Sequence, residues 1–379
     1  MNAEVVIIGA GAVGCASAYF LARAGMKVTV LERDSVASHA SGMAFGALNP
    51  LEGIPEPLAP IAQEGLRLHR ELAETLRDET GVDTEFQHHP AFTVALGEQE
   101  ERRLRSRLPW LKAQPGFQVE WHSGKELRAR EPRLTPRVVG GYVTEPVGLV
   151  DPYRYTLALL QAAERRGATV RHGTARGLRF NGERVVGVAV GQEEVPCQAV
   201  VIAMGPWTGA ASEWLSMPLP VEPLKGENLR LRVDAPPLPH ISWGQGGCVS
   251  RPDGLITVGS TQERAGFDET PTAAGRNIML ERVVEVLPYL AAAQLVRHTA
   301  CLRPVTPDGL LYLGLVPGKA GVVVATGAGR KGILYSPVVG QIVAELVAEG
   351  HTSWDISAFS LDRAVGEFPE LPRPAAARE

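Results

Sequence analysis

The chain has 379 residues, of which 45% are hydrophobic and 21% charged, and its formal net charge is −4. This balance is typical of a globular protein, so it excludes a chain that is disordered throughout and offers no basic surface for nucleic acid or an anionic membrane. No apolar run approaches the roughly 20 residues that span a bilayer, and no basic segment of a signal peptide precedes the first strand. We therefore expect a cytoplasmic protein without a transmembrane segment.

The cysteines and histidines give no indication of a metal site. Cys15, Cys197, Cys248 and Cys301 lie far apart and form no CxxC pair, which excludes the spacing of a zinc ribbon or a thioredoxin-like redox pair. No pair of histidines has the spacing of metal ligands with an acidic partner. We predict no bound metal and no structural disulfide.

The N-terminal segment is typical of a complete βαβ unit. Residues 4–8 form a β-branched run without polar alternation, which predicts a buried strand. An Ala-rich helix is predicted over 15–24, ending at Gly25, and a second buried strand over 27–31. Between the first strand and the helix lies the sequence Gly9-Ala10-Gly11-Ala12-Val13-Gly14, a GxGxxG motif in the context that dinucleotide binding requires.

Each glycine of this motif has a predicted role. Gly9 permits the tight turn, Gly11 lets the backbone approach a pyrophosphate, and Gly14 lets the helix pack closely on the strand. The helix N-terminus offers unpaired N–H groups to the phosphates. Glu32, at the end of the second strand, is placed to accept hydrogen bonds from the adenosine ribose. The alternative is a glycine-rich turn of an ordinary α/β protein, which the complete context disfavours.

Nucleotide-type elements recur later in the chain, separated by two segments of different character. The predicted elements are an amphipathic helix over 60–80, a helix over 153–166, a strand over 169–172, a hairpin turning at 181–182, a strand over 200–203, a strand over 321–326 and a helix over 336–349. Residues 83–142 are rich in Arg, Glu and Pro with short strand-like pieces, and residues 218–299 are rich in predicted strands. We interpret these two segments as insertions into the nucleotide fold.

A second glycine cluster, Gly327 to Gly332, follows a predicted strand and precedes a predicted helix. It is either a separate NAD site or a turn that closes over the same dinucleotide as the first motif. Too little chain follows it to complete a second βαβ unit, which favours the second interpretation. The N-terminus of its helix would then face negative charge that develops on a flavin ring.

A set of motifs occurs in an order that is more specific than any one of them. They are Gly9 to Gly14 with Glu32-Arg33, Ala40 to Leu48, Val150-Asp151-Pro152, Ala203 to Trp207, Pro223 to Glu227, Leu302 to Gly309 and Gly327 to Leu334. With these motifs, over nearly its whole length, the sequence resembles the D-amino-acid oxidase superfamily of flavoproteins, and within it the glycine oxidases most closely.

The resemblance implies an α/β fold with FAD as its cofactor. It implies an FAD-binding domain of the glutathione-reductase type, which is Rossmann-like and is assembled from residues 1–82, 145–217 and 300–379. It also implies a β-rich substrate domain, inserted as residues 83–144 and 218–299.

The resemblance also assigns site residues by position. Arg303, in a Leu-Arg-Pro motif, would pair with the substrate carboxylate, and Arg330 would lie beside it; the planar fork of arginine makes two parallel bonds to one carboxylate. No catalytic side chain is assigned, because the chemistry requires no obligatory general base. The predicted cofactor-binding residues are Gly9, Gly11, Ala12, Val13, Gly14, Glu32, Arg33, Ser41, Gly42, Gly46, Ala47, Leu48, Ala175, Gly205, Trp207, Gly327, Ala328, Gly329, Arg330, Lys331, Gly332, Ile333 and Leu334.

The implied reaction is the FAD-dependent oxidative deamination of a small amino acid or an N-methyl amino acid. The substrate Cα would deliver a hydride to flavin N5, and reoxidation by O2 would yield H2O2. The alternatives are a dehydrogenase of the same fold that passes electrons to a quinone or a partner subunit, and a non-catalytic flavin-binding subunit, against which the two arginines argue. A flavin reductase that uses NAD(P)H is disfavoured, because the βαβ unit that would begin at the second glycine cluster is incomplete. The sequence is compatible with a homo-oligomer.

Three positions depart from the glycine oxidase pattern. Gly247 stands where those enzymes carry a tyrosine, so we expect a larger pocket unless Trp243 supplies the aromatic contact from the same loop. Ala328 replaces a histidine, which leaves oxidase and dehydrogenase chemistry open. Cys301 occupies the place of the cysteine that links covalently to the flavin in monomeric sarcosine oxidases. The alternative for Cys301 is a buried core residue, which the glycine-oxidase-like residues after it favour.

Overall fold

The computed structural model describes residues 4–244 and 246–363. The end of the predicted FAD-binding segment 300–379, from residue 364 onward, lies outside the described residues. Within them, two large sheets and one small sheet are covered by helices, in agreement with the predicted mixed α/β class.

Strands and α-helices of the described residues alternate as far as residue 164, and strands predominate after it. The strands are β1 (Glu4–Ile8), β2 (Lys27–Glu32), β3 (Ala47–Leu48), β4 (Gln87–Ala95), β5 (Gln118–Ser123), β6 (Gly140–Leu149), β7 (Thr169–His172), β8 (Ala175–Asn181), β9 (Arg184–Val190), β10 (Glu193–Pro196), β11 (Ala199–Ile202), β12 (Glu222–Arg232), β13 (Ile241–Trp243), β14 (Cys248–Ser250), β15 (Ile256–Gly259), β16 (Gln294–Val305), β17 (Tyr312–Leu315) and β18 (Val322–Thr326). The α-helices are α1 (Ala12–Arg23), α2 (Ala40–Met43), α3 (Ala59–Thr80), α4 (Glu98–Lys112), α5 (Gly124–Arg130), α6 (Pro152–Glu164), α7 (Ala211–Leu215), α8 (Ala273–Val286) and α9 (Gly332–Glu349). Short 3₁₀ turns span Glu56–Leu58, Gly205–Ala210, Pro288–Ala292, Gly329–Lys331 and Ser357–Phe359.

The first large sheet has the strand order β17-β18-β11-β1-β2-β7. Its neighbours run parallel, apart from β17, which is antiparallel to β18. On one face α1 packs against α6 and α9, and α3 packs against α9. On the other face lie the small sheet β8-β9-β10 and α7. Because both faces are covered, β1, β11 and β18 are continuous apolar runs.

The second large sheet has the order β16-β12-β15-β14-β13-β4-β6-β3, and β5 adds to it by pairing with β6. Its longest ladder is the antiparallel pair of β12 and β16. Helix α8 packs on this sheet through Met279, Val283 and Val286, which join Leu229 and Cys248 in one apolar cluster. This sheet supplies the walls of a cavity that the first sheet opens onto.

Local sequence sets several helix ends. The Asp151 side chain accepts a hydrogen bond from the Arg154 backbone N–H at 2.8 Å, and Pro152 follows as the first helical residue of α6. At the start of α5, Ser123 and Glu126 form a reciprocal capping box. These caps satisfy backbone donors that a helix start leaves without intrahelical partners.

The structure confirms most elements predicted from periodicity and corrects others. The strand over 4–8, the helix over 60–80 and the hairpin at 181–182 are present as predicted. Helix α1 begins at Ala12 rather than at residue 15, and α9 begins at Gly332 rather than at residue 336, since the glycine-rich turns lead directly into their helices. Helices α4, α5 and α8 were not predicted; α4 is highly polar and buries only Leu104 and Leu111.

The sheets do not divide at the predicted domain boundaries. Strand β6 runs through the boundary predicted between residues 144 and 145, and residues on both sides of that boundary pair within the second sheet. Strand β16 likewise begins before residue 300 and continues past it. The division into two domains with those boundaries stays a prediction.

Within the described residues one helical segment, Gly329–Glu349, is long and apolar enough to cross a membrane by length and composition. Two thirds of it is buried inside the protein (67%), mainly against α1 and α3. A core helix of a globular domain meets the same two criteria, and the burial of this segment is that of such a helix.

The contact between α1 and α9 yields a stability prediction. A Cβ added at Gly340 would lie 2.7 Å from the Ala16 carbonyl carbon and 2.9 Å from the Ala16 Cβ, so the two helices would have to separate. We expect Gly340→Ala to lower the free energy of unfolding by about 1–3 kcal/mol, measured by urea unfolding of the FAD-loaded protein.

The matched control is Gly177→Ala in β8, where an added Cβ meets nothing within 4 Å. We expect it to change the free energy of unfolding by no more than about 0.5 kcal/mol. Equal stability of the two variants would contradict the close contact between α1 and α9.

Candidate active site

A cavity of about 930 Å³ lies where the two large sheets meet. Its lining comes from the ends of β1, β2, β11 and β18 on one side and from β12, β13, β15 and β16 on the other. The volume is at the upper end of the about 300–1,000 Å³ that small-molecule sites span. The cavity is therefore large enough for an extended cofactor with a substrate beside it.

The first glycine motif forms the floor at one end of the cavity. Gly9 has φ +109°, and an added Cβ there would overlap the Ala203 carbonyl oxygen, so only glycine fits. Gly11 is the N-cap of helix α1 and has no side chain to cap it, and the Ala12 N–H instead donates to Ser41 Oγ at 2.9 Å. The positive end of α1 thus faces the cavity, where phosphate groups are favoured.

Glu32 and its neighbours line the same end. The Glu32 carboxylate accepts hydrogen bonds from the backbone N–H groups of Ala10 and Asp34, each at 2.8 Å. The Arg33 guanidinium lies 4.0 Å from the ring centroid of Trp207. Glu32, the residue predicted to bind the ribose, is thus held at the cavity wall, next to the stacked pair of Arg33 and Trp207.

Most predicted cofactor-binding residues line this one cavity. Those that do are Gly9, Gly11, Ala12, Val13, Glu32, Arg33, Ser41, Gly46, Ala47, Ala175, Gly205, Trp207, Ala328, Gly329, Arg330, Lys331, Gly332, Ile333 and Leu334. Gly14, Gly42, Leu48 and Gly327 lie behind the lining instead. Gly14 has the packing role expected of it, because an added Cβ would overlap the Gly9 carbonyl oxygen.

The second glycine cluster opens onto the same cavity as the first motif. After β18 the chain makes the 3₁₀ turn Gly329–Lys331 and enters α9 at Gly332. The first residues of α9 are part of the lining, so the positive end of this helix also faces inward. This placement favours one dinucleotide site over two.

Arg303, on β16, is a buried cation at the opposite end. It is 8% exposed, donates to the Thr261 carbonyl at 3.0 Å and to Ser260 Oγ at 2.8 Å, and lies flat over Gly226, where any Cβ would overlap its guanidinium. No carboxylate of the described residues lies within ion-pair distance of it. Burial lowers the pKa of Arg303, and the nearby charge of Arg330 lowers it further.

Other residues that the sequence singled out line the same cavity as Arg303. Arg330, Trp243, Gly247 and Cys301 all line the cavity. Trp243 therefore places an aromatic side chain in the cavity lining, as the sequence alternative to a tyrosine at position 247 required. Cys301 is 2% exposed, and burial raises the pKa of its thiol. Its covalent link to a flavin stays a prediction.

Several residues that position the site were not foreseen. Arg251 is buried and donates to the carbonyls of Phe45 and Val150, the latter at 3.0 Å, and burial lowers its pKa to about 10. Asn228 donates to the Met43 carbonyl at 2.7 Å, while its Oδ1 has no partner among the described residues. Both side chains join the second sheet to the cofactor-facing segment around residues 43–46; no sequence motif marks them.

Two further unforeseen side chains, Glu52 and Arg107, line the cavity. Glu52 accepts hydrogen bonds from Arg107 at 2.8 Å and from the buried Tyr142 hydroxyl. Arg107 lies on α4, a helix that the apolar pattern of the sequence did not reveal.

Among the described residues no group of three or more His, Cys, Asp or Glu side chains is placed to hold a metal.

These residues fit a dinucleotide cofactor. Two glycine turns without side chains, two inward-facing helix N-termini and an acidic residue at the end of β2 surround a single extended cavity. Beside that cofactor site, a buried arginine faces the remaining space. The fold and the site define a class of protein: an oxidoreductase that holds a flavin dinucleotide next to its substrate.

Comparison with known proteins agrees with this class. Residues 4–346 match the FAD dependent oxidoreductase (DAO) family, and the chain belongs to that family. It is 32% identical to glycine oxidase from Geobacillus kaustophilus, over 96% of this chain and 98% of that protein, and 32% identical to glycine oxidase from Pseudomonas aeruginosa, over 92% and 95%. The crystal structure of the Geobacillus kaustophilus enzyme superposes with a TM-score of 0.91 at 30% identity, covering 96% of this chain and 100% of that one.

The family membership confirms three predictions from the sequence. The resemblance to the D-amino-acid oxidase superfamily, the fold class and the cofactor FAD were each predicted, and the protein is an FAD-dependent oxidoreductase. The individual site residues stay predictions, supported by their placement around one cavity.

The position of Glu32 yields a prediction on cofactor binding. If its carboxylate accepts hydrogen bonds from the adenosine ribose, Glu32→Ala removes a charge-assisted contact that contributes about 1.5–3 kcal/mol. We expect the variant to lose FAD on dilution, measured by the rise of free flavin fluorescence. Glu74→Ala, at an exposed position of α3, is the matched control and should retain FAD as the wild type does. Equal retention in both variants would remove Glu32 from the cofactor site.

Proposed function

We propose that the protein oxidises a small amino acid or an N-methyl amino acid with FAD, and that O2 reoxidises the cofactor and yields H2O2. The amino acid would become an imine, which hydrolyses to an oxo acid and releases ammonia or an amine. A cytoplasmic location and self-association stay expectations from the sequence.

The observation that carries this proposal is the buried guanidinium of Arg303. A buried cation without an anionic partner is costly, so a site that retains one is suited to a ligand that brings the negative charge. Its planar fork matches a carboxylate, and every amino acid carries one. The relatives named glycine oxidase support a small amino acid as the substrate.

The residues around Arg303 support orientation of the substrate rather than proton transfer. Arg303 itself is held by Ser260 and the Thr261 carbonyl, so its fork has a fixed direction. Trp243 contributes an aromatic side chain to the lining of the cavity. When bound, FAD supplies the acceptor for two electrons. The protein contributes placement, together with the positive end of α9 beside the cofactor site.

The proposed electron acceptor is tested with the FAD-loaded protein and a panel of amino acids. Without oxygen, we expect a substrate to bleach the yellow flavin absorbance. Admission of air should restore the colour and release H2O2 in proportion to the amino acid consumed. Bleaching that air does not reverse, but a quinone does, would assign a dehydrogenase instead. Absence of bleaching by every amino acid and amine would contradict the proposed function.

The role of Arg303 is tested by Arg303→Lys, which retains the charge and loses the planar fork. We expect the apparent affinity for amino acids to fall by about 2–3 kcal/mol, or some 30- to 150-fold, while an amine without a carboxylate is affected little. Flavin bleaching without oxygen, titrated with each substrate, measures both affinities.

Arg297→Lys is the matched control, since Arg297 lies on the same strand at an exposed position. It should leave both affinities unchanged. Equal losses for the amino acid and the amine in Arg303→Lys would indicate a structural arginine, and no loss for the amino acid would remove Arg303 from the site.

A further inference from the structure

Lys331, which the sequence groups with the cofactor-binding residues, is a buried cation that takes no part in the reaction proposed above. It is 8% exposed and lines the cavity; its Nζ donates to the Asn49 carbonyl at 3.0 Å and lies 4.9 Å from the ring centroid of Trp243. An ammonium group has three donors. Among the described residues no other hydrogen-bond partner and no carboxylate within ion-pair distance accompanies it.

A second cation without an anionic partner lies next to Lys331. Arg330 lines the cavity, and its guanidinium lies over Gly53, where an added Cβ would approach Nη2 to 2.8 Å. Within the described residues Arg330 takes part in no ion pair and no hydrogen bond. Its charge lowers the pKa of both Arg303 and Lys331, which places it close enough to act on both.

The only carboxylate of the described lining at this end is Glu52, three residues beyond the carbonyl that Lys331 contacts. Its two oxygens are already engaged, one by Arg107 and one by the Tyr142 hydroxyl. The charged groups that act on Lys331 are therefore Arg330 from its own turn and Glu52 with its two partners, while Arg303 lines the same cavity. The cations outnumber the carboxylate.

A substrate with one carboxylate engages Arg303 and leaves this excess of positive charge in place. Electrostatic complementarity then favours a substrate with a second negative group directed away from Arg303. Resting on the proposed function, we propose that the substrate is a dicarboxylic amino acid, whose second carboxylate, on the side chain or on an N-substituent, is bound by Lys331 together with Arg330.

The protonation of Lys331 gives this proposal a signature that a structural lysine lacks. Burial and the charge of Arg330 lower the pKa of Lys331 to about 7, against a smaller opposing effect of Glu52. An anion bound to Nζ favours the charged form, so it raises that pKa and the complex takes up a proton. Above pH 7 this uptake must accompany binding, and the affinity for a dicarboxylate therefore falls as the pH rises through the pKa of Lys331.

The experiment uses acids that lack an amine, so no reaction follows binding. Succinate and glutarate are titrated into the oxidised, FAD-loaded protein, with butyrate and pentanoate as their singly charged counterparts. Binding is followed by the perturbation of flavin absorbance and by calorimetry in buffers of different ionisation enthalpy. We expect the better dicarboxylate to bind roughly tenfold or more tightly than its counterpart below the pKa of Lys331. Above that pKa only the dicarboxylate should bind with proton uptake.

Three variants separate the roles of Lys331. Lys331→Gln should abolish both the preference for the dicarboxylate and the proton uptake, while Lys331→Arg should retain the preference without the uptake. Lys125→Gln, at an exposed position of α5, is the matched control and should behave as the wild type. A loss of FAD in Lys331→Gln, or an equal weakening of both acids, would instead assign Lys331 to the cofactor and overturn the proposal.

Failure of this inference differs from failure of the proposed function. If the wild type binds both acids of a pair equally, and monocarboxylic amino acids still bleach the flavin, the second subsite is absent and the oxidase proposal is unaffected. If no amino acid of either class bleaches the flavin, the proposed function itself fails. A dicarboxylate preference that persists in Lys331→Gln would also overturn the inference.

Discussion

The close approach of helix α1 to strand β1 is the constraint on which the cofactor site depends. The Gly14 Cα lies so near the Gly9 carbonyl oxygen that an added Cβ would come within 1.9 Å of it. Helix α1 also packs tightly on α9, where a Cβ added at Gly340 would come within 2.7 Å of the Ala16 carbonyl carbon. Because interiors are densely packed, a side chain at either point would displace the helix rather than compress its neighbours. The N-terminus of α1 would move with it, together with the backbone donors that face the cavity.

The same cavity depends on side chains from the second sheet that hold the segment leading into β3. Residues 44–46 line the cavity between α2 and β3, and Asn228 and Arg251 hold the carbonyl groups of Met43 and Phe45 in this segment. Arg251 retains most of its charge at neutral pH even though burial lowers its pKa to about 10, so its bonds to carbonyl groups are charge-assisted. The backbone that faces the cofactor and the sheet that faces the substrate are thereby coupled, so a displacement of one would displace the other.

Local sequence information predicts the parts of this architecture that depend on local physics. The motif from Gly9 to Gly14 required only a strand before it and a helix after it, and both are present. Helix α4 was missed because it buries only Leu104 and Leu111 and carries Pro109 near its end, which leaves little apolar period to detect. Arg107 on that helix was missed for the same reason.

The contacts that the sequence could not give are those between distant residues. Lys331 was grouped with the cofactor residues by its position in a glycine cluster, whereas its nearest polar partner is the carbonyl of Asn49, far away in the chain. Tertiary proximity of that kind has no period and no local motif. The pairing of Glu52 with Arg107 and Tyr142 likewise depends on three separate segments meeting in the fold.

The electrostatic balance of the substrate end then follows from how these segments meet. Burial of Arg303 and Lys331 with no carboxylate partner among the described residues disfavours their charged forms, as the lowered pKa of each indicates. The native structure retains both because the surrounding packing fixes them in place: Gly226 leaves room for one, and the Asn49 carbonyl orients the other. An anion bound at this end of the cavity provides the negative charge that Arg303 and Lys331 lack within the described residues. Its binding therefore stabilises the folded protein as well as the complex, because the unfolded chain offers no comparable site.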